Sequence, residues 1–375
     1  MRTGKFNIMK TIIFCFLMFL TLFVSAQNDK ISPDLPGSYI TIQMAKFPVA
    51  DFPENSIPIS NIRVFQAVRD SVSIGYATKG LIGSVASLKT PKPLTISLQE
   101  QIKRMYKHEY KKDGAELFWV VKNLRLGERR SVAELAYTRL NADAYISKDG
   151  KLFKKVCSMD TVFMTETTEG HGDNIERALK VFLKRTLLFA ADALEQSTNG
   201  FTVDRVTEQA QQKDDPIIKD SIYSEGAYLG FEDFLQNKPS VTDYELATNE
   251  KKELKFVKPG QNGQKEAFAI WGLCKGGEIY KNYEGTLIPI EKHGTGFIIS
   301  NYVQRTNKTN RNLFFSSMTG AMVGGAIGGL MVASAMNEAA AKNQPVLVRS
   351  IPYITDPNMQ PLAICIDMMT GEFAF

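Results

Sequence analysis

The chain has 375 residues, with 45 lysines and arginines against 40 aspartates and glutamates and a formal net charge of +5. That balance does not steer the protein toward nucleic acid, and four cysteines are too few for a disulfide-stapled extracellular scaffold. The length allows two ordinary domains, each with its own core.

The first 26 residues carry Arg2, Lys5 and Lys10, then the apolar run TIIFCFLMFLTLFV, then Ser25 and Ala26 before Gln27, with no acidic residue among them. This is the layout of a cleavable secretory signal, so residues 1–26 are expected to be removed and the mature chain to begin at Gln27 with a net charge of +2. The apolar run is short for a membrane anchor. Cys15 lies inside it rather than at its end, which argues against a lipid-modified N-terminus.

Residues 36–195 read as an α+β domain, an antiparallel sheet with two helices laid on one face. IRVFQAVRDSVSIGYA predicts two strands joined by a turn at Arg69-Asp70. In SLQEQIKRMYKHEYKKDG, Ser97 and Glu100 have capping-box spacing, Leu98, Ile102, Met105 and Tyr106 share one helical face, and Gly114 marks the stop. ELFWVVKNLRL, AELAYTRLNADAYI and KLFKKVCSMDTVFMTE predict three strands, the last two meeting at the hairpin signal Lys148-Asp149-Gly150. Asp173 is then expected to cap a long amphipathic helix through Glu195.

Residues 196–216 are polar, rich in glutamine and end in Pro216, the signature of a linker with room for a short helix. From 217 to 375 the pattern is mainly β, with short strand-like runs separated by glycine and asparagine turns. Met369-Thr370-Gly371-Glu372 predicts a closing hairpin. Cys274 and Cys365 both sit in strand-like runs where they could pair as a disulfide, although buried free thiols are the favoured reading.

Residues 313–342 interrupt this β half, and 24 consecutive uncharged residues run from Leu313 to Met336. As a helix they would reach about 36 Å, against a hydrocarbon core of about 30 Å. Length therefore permits a span, but between Met318 and Met336 there are five glycines and four alanines and only four Leu, Ile or Val. Gly320, Gly324 and Gly328 repeat every four residues beside a stripe of Gly325, Gly329 and Ala333, a glycine zipper suited to close helix packing. Three flanking cations before the segment against two after it run slightly against the orientation a span would take following signal cleavage. Membrane association, self-assembly and burial against the protein's own sheet all account for the glycines.

No motif names a reaction. His108, His171 and His293 are scattered, no pair has metal-ligand spacing, and HExxH, CxxC, P-loop and GxSxG patterns are absent, so no catalytic, cofactor-binding or metal-binding residue is assigned. GHGDN precedes a helix as a phosphate cradle would, but Glu169, Asp173 and Glu176 crowd it with negative charge and leave His171 as a loop residue. KRMYKHEYKK interleaves basic and aromatic residues as acidic-lipid or nucleic-acid binding would want. Its helical spacing places the apolar members on a core face and the lysines in water.

The spacing Gly226, Tyr228, Phe231, Phe234, Asn237, Pro239, Ser240, followed by Trp271, Gly272, Cys274, Gly277 and Tyr280, resembles a group of uncharacterised secreted proteins of Gram-negative bacteria. The strand and helix order of the first domain is similar to small periplasmic domains of envelope lipoproteins and transport-auxiliary proteins. Both resemblances imply location rather than chemistry. The expectation is therefore a non-enzymatic protein of the bacterial envelope, periplasmic or outer-membrane-associated, with the membrane, a second copy or another envelope protein as partner. Alternatives are a secreted hydrolase whose site is assembled from distant residues, and a ligand-binding module using Tyr228, Phe231, Phe234 and Trp271.

Overall fold

In the computed structural model the described residues are 39–42, 57–67, 74–79, 84–107, 110–130, 134–167, 170–197, 199–211, 215–248, 254–260, 264–293, 296–300, 346–351 and 353–375. They form an α+β protein, the class expected from the sequence. The signal segment, the turn at Arg69-Asp70 and the glycine-rich stretch with Gly320, Gly324, Gly325, Gly328, Gly329 and Ala333 lie outside the described residues. No helix among those described is long and apolar enough to cross a membrane.

The N-terminal part is built on a seven-stranded sheet of β1 (Tyr39–Thr41), β2 (Ile59–Gln66), β3 (Gly75–Lys79), β4 (Ser84–Lys89), β5 (Ala115–Arg130), β6 (Glu134–Ser147) and β7 (Lys154–Thr165). The three long strands β5, β6 and β7 form the predicted antiparallel meander. Between β6 and β7, Asp149 accepts hydrogen bonds from the Ser147 hydroxyl and the backbone N–H groups of Lys151 and Leu152. Gly150 takes the left-handed φ of 70° that closes the turn.

The two strands expected on either side of Arg69-Asp70 both form but do not pair with each other. β2 pairs in parallel with β5 over Ala115–Val121, and β3 meets the same strand in parallel at Leu126, so the two lie end to end along one edge of β5. A 16-residue strand offers an edge long enough for both, and β3 takes β4 as its antiparallel partner instead. Gly75 makes the junction: with φ of 149°, a Cβ there would fall 1.9 Å from the Leu126 carbonyl oxygen.

Helices α1 (Leu94–Met105) and α2 (His171–Glu195) cover one face of this sheet. α1 begins three residues before the predicted cap. Ser97 lies inside the helix with its hydroxyl on the Lys92 carbonyl, and Glu100 pairs with Lys92 rather than completing a capping box. The chain leaves the helix at Tyr106, before Gly114, because Tyr110 already bridges to Ile59 beside β5. In α2, Gly170 occupies the cap and Asp173 stands in the first turn. Leu98 and Ile102 of α1 and Leu179, Phe182 and Leu183 of α2 join Leu117, Trp119 and Leu126 of β5 and Leu140 of β6 in one buried cluster. Trp119 lies 4.5 Å from Phe182, ring centre to ring centre.

The opposite face is covered in two patches. Residues 196–216, expected as a linker, contain α3 (Val203–Ala210), capped by the Thr202 hydroxyl. Val206 packs with Phe118, Val120, Tyr145 and Phe153, and Phe201 bridges to Phe153.

The other patch is a second sheet. Beyond the single turn α4 (Pro216–Lys219) come β8 (Gly226–Tyr228), α5 (Phe231–Leu235), β9 (Glu245–Thr248), β10 (Leu254–Pro259), β11 (Lys265–Phe268), β12 (Gly272–Lys275), β13 (Glu278–Tyr283), β14 (Thr286–His293), β15 (Gly296–Ile299), β16 (Cys365–Ile366) and β17 (Phe373–Ala374). β8 and β12–β17 form the sheet, while β9–β11 make a small separate one packed on its outer side through Phe256. The predicted closing hairpin is β16–β17, with Gly371 at φ of 74°. PVLVRSIPYI contributes one bridge, Leu347 to Leu362, rather than a strand, and buries Val346, Val348 and Ile351.

The inner face of this second sheet shares a core with Tyr76, Leu135, Tyr137 and Val162 of the first. The C-terminal segment fastens the two. The Tyr137 hydroxyl donates to the Met359 carbonyl at 2.6 Å, Arg129 donates to the carbonyls of Pro357 and Gln360, and the Tyr353 hydroxyl both accepts from and donates to the backbone of Val162. Phe375 lies over Gly127, where any Cβ would meet its ring at 2.8 Å.

Candidate functional site

Where the first sheet faces β14–β16 and α5 there is a cleft of about 460 Å³, within the size range of small-molecule pockets. A register irregularity in β5 between Val121 and Asn123 brings Lys122 and Arg125 to its wall, facing His293, Cys365 and Asp367.

Two of the ionisable groups that line it, Lys122 and Asp367, are engaged with residues outside its lining. Lys122 Nζ lies 2.8 Å from Asp143, which Lys155 approaches at 3.2 Å. Burial opposes ionisation of Asp143, but hydrogen bonds from Lys122 and Ser158 and the charges of both lysines outweigh it and hold the carboxyl below the usual range. Arg139 donates to both oxygens of Asp160 at 2.8 Å and to Asp367 Oδ2 at 2.9 Å. The other Asp367 oxygen accepts from the Met369 N–H in the β16–β17 turn. Asp367 is thereby committed as an anchor between the sheets rather than poised as a base. Cys365 points its thiol at the Ala374 carbonyl, and burial raises its pKa, so the reactive thiolate is disfavoured.

Cys274 and Cys365, for which a disulfide was the alternative reading, are both free thiols. They stand on β12 and β16, four strand spacings apart or roughly 19 Å. They also face opposite sides of the sheet, Cys274 in the core shared with the first sheet and Cys365 beside Ile298 and Ala374. Geometry excludes a bond at that separation. Burial pushes the Cys274 thiol up to about 11 and raises Cys157 as well. A thiol reagent at pH 8 should therefore react slowly with the folded chain and, in denaturant, titrate three thiols on a chain beginning at Gln27, which can be read by absorbance.

His171 is not a loop residue. It is buried in the first turn of α2 with Nε2 3.0 Å from Glu128 Oε1, and both side chains are only 5% exposed. The helix N-terminus that GHGDN opens is therefore faced by the protein's own carboxylate. Among the described residues no group of three His, Cys, Asp or Glu side chains could hold a metal ion.

The aromatic residues around Tyr228 are core. Tyr228 and Phe234 are completely buried, Phe234 stacks on Trp271 at 4.4 Å, and the Trp271 indole N–H donates to the Gly371 carbonyl. Asn237, held at a left-handed φ of 50°, accepts from the Ser224 N–H and the Tyr228 hydroxyl and donates to Asp220 and the Ile222 carbonyl. Ser240 and the Gly230 N–H both donate to Asp233, closing the turn around α5. The spacing from Gly226 to Ser240 thus encodes a folded corner.

Sequence reasoning missed Lys281. It occupies a core-facing position on β13 between Ile279 and Tyr283, is 5% exposed, and lies over the rings of Trp271 at 4.6 Å and Phe373 at 5.2 Å. Burial lowers its pKa, only partly opposed by the charge of Glu372. A lysine inside a period-two apolar pattern was the available signal.

No family model matches the chain, and no curated protein matches it. Among solved structures it is similar to a protein of Xanthomonas campestris described as a member of family DUF330, with a TM-score of 0.28 and 15% identity, over 40% of this chain and 97% of that one.

Proposed function

We propose that this chain is an exported, non-enzymatic protein of the bacterial envelope with a structural or interaction role. The observation that carries the reading is that Lys122 and Asp367, which line the cleft, are tied to Asp143 and Arg139 outside its lining, where a hydrolase would hold such groups ready for substrate. The N-terminal signal supplies the location, and the glycine zipper from Gly320 to Ala333 the means of membrane contact or self-association.

The test is fractionation of bacteria producing the full chain with a C-terminal epitope. The expected product begins at Gln27, leaves the cytoplasmic fraction, and either stays with membranes through an alkaline carbonate wash or is released as an oligomer. An unprocessed cytoplasmic chain refutes export, and complete release as a monomer refutes the role given to the glycine segment.

A further inference from the structure

The helical layer on the first sheet carries a surface that the cleft does not explain. Both α1 and α2 bury their apolar faces in the same cluster, α1 against β2 and α2 against β6 and β7. Their outward faces are therefore neighbours on one side of the molecule.

Those faces are basic and apolar together. On α2, the thirteen residues from Arg177 to Phe189 contain Arg177, Lys180, Lys184 and Arg185 and no acid. Val181, Leu188 and Phe189 stand exposed among them, Leu188 at 61%. On α1 and the turn after it, Lys103, Arg104, Lys107, Lys111 and Lys112 are exposed, with Ile96 at 47% and Tyr110 at 56%. The two stretches 103–112 and 177–189 hold nine cations against one acid, Glu109, whereas the whole chain carries a net charge of only +5. Lys180 pairs with Glu176 and Arg177 lies over the Phe163 ring. Lys103, Arg104, Lys107, Lys184 and Arg185 make no ion pair among the described residues.

We infer that this helical layer seats on the surface of a bilayer containing anionic lipid. The cations match the headgroup charge. Val181, Leu188 and Phe189, framed by Lys184 and Arg185, form the apolar side of an interfacial helix whose long basic side chains reach outward to phosphate. A polyanion bound by charge alone would leave these apolar side chains without a role. KRMYKHEYKK, whose lysines do stand in water, gains a partner through the second basic helix that the fold places beside it.

The experiment is flotation of the purified full chain with vesicles of phosphatidylcholine alone or enriched in phosphatidylglycerol. Binding is expected only to the second kind and is expected to fall steeply with added salt. K103E/R104E/K107E should weaken it by at least about a hundredfold, since each basic residue near an anionic surface strengthens binding roughly fivefold and the reversal adds repulsion. L188S/F189S should weaken it while leaving the salt dependence in place. All five positions are exposed, so both variants should stay folded, the charge reversal melting slightly earlier because Lys103 and Arg104 lie in the last turn of α1 and Arg104 acts on Glu100. Equal binding to both vesicle types, or binding that survives both variants, transfers membrane contact to another segment such as the glycine zipper; it overturns this inference and leaves the proposed function standing. Loss on charge reversal with L188S/F189S unaffected overturns the role given to Val181, Leu188 and Phe189, and the absence of binding to either vesicle overturns the inference.

Discussion

Phe234→Ala is expected to lower the unfolding free energy by about 4 kcal/mol, with loss of the native near-ultraviolet signal at temperatures where the unchanged chain remains folded. Phe234 belongs to a helix of only five residues that has little stability of its own. The ring fills the centre of an aromatic cluster: Trp271 stacks on it at 4.4 Å, Phe297 meets its edge at 5.0 Å, Tyr228 at 5.5 Å, and Phe231 lies at 6.1 Å. Removing it takes away a fully buried side chain and leaves a cavity bounded by four rigid rings, which cannot collapse as a cluster of leucines might. Each lost ring pair adds roughly 0.5–1.5 kcal/mol beyond area alone, so the change belongs at the upper end for its kind. Phe234→Leu retains much of the volume and should cost about half as much. Chemical denaturation followed by tryptophan fluorescence provides the measurement, because Trp271 reports directly on the cavity. A change below about 1 kcal/mol for Phe234→Ala would show that α5 is not part of the cooperative core.

What could be read from the sequence follows the range of the interaction concerned. The strands β5, β6 and β7 were evident because each is long and its pattern repeats locally, and the turn at Asp149-Gly150 needs only its own residues. The α+β class follows from the same local periods. The arrangement of β2 and β3 was not legible, because the choice between pairing with each other and two places along the edge of β5 depends on partners such as Ala115 for Ile59 and Leu126 for Gly75, far along the chain. Capping was misplaced for a related reason. Ser97 and Asp173 have the right chemistry for a cap, but the path of the chain into α1 and α2 put Pro93 and Gly170 at those positions. The aromatic spacing from Gly226 to Trp271 was visible as a pattern, and only the sheet pairing of β8 with β12 turns it into a core. The cleft was invisible, since it is walled by β5, β14 and β16, which are far apart in sequence. The tie between the sheets was invisible too, because the Arg139–Asp367 contact spans 228 positions.

That contact supports the second large effect. Arg139→Ala is expected to destabilise the protein by about 3 kcal/mol, as removal of one member of a buried ion pair leaves the other charge unpaired in a poorly hydrated site. Arg139 is 18% exposed and Asp367 9%, whereas Asp160 is 44% exposed and can be rehydrated. The burden therefore falls on Asp367. Hydrogen bonds from the guanidinium to Asp160, reinforced by the charges of Asp160 and Asp367, raise the pKa of Arg139 against the opposing effect of burial. The arginine consequently stays charged across the accessible range, and pH dependence must enter through the carboxylates. Asp367→Asn retains a turn-capping oxygen for the Met369 N–H but removes the charge, and should cost less than Arg139→Ala. In the double variant Arg139→Ala with Asp367→Asn no buried charge is stranded, so its loss should be smaller than the sum of the two single losses by at least about 1 kcal/mol. Thermal unfolding of the four proteins completes the cycle. Additive losses would mean that Asp367 is hydrated independently of Arg139, and would remove the contact as a fastening between the two sheets; coupling would assign the closure of the cleft to one guanidinium reaching from β6 to the turn before β17.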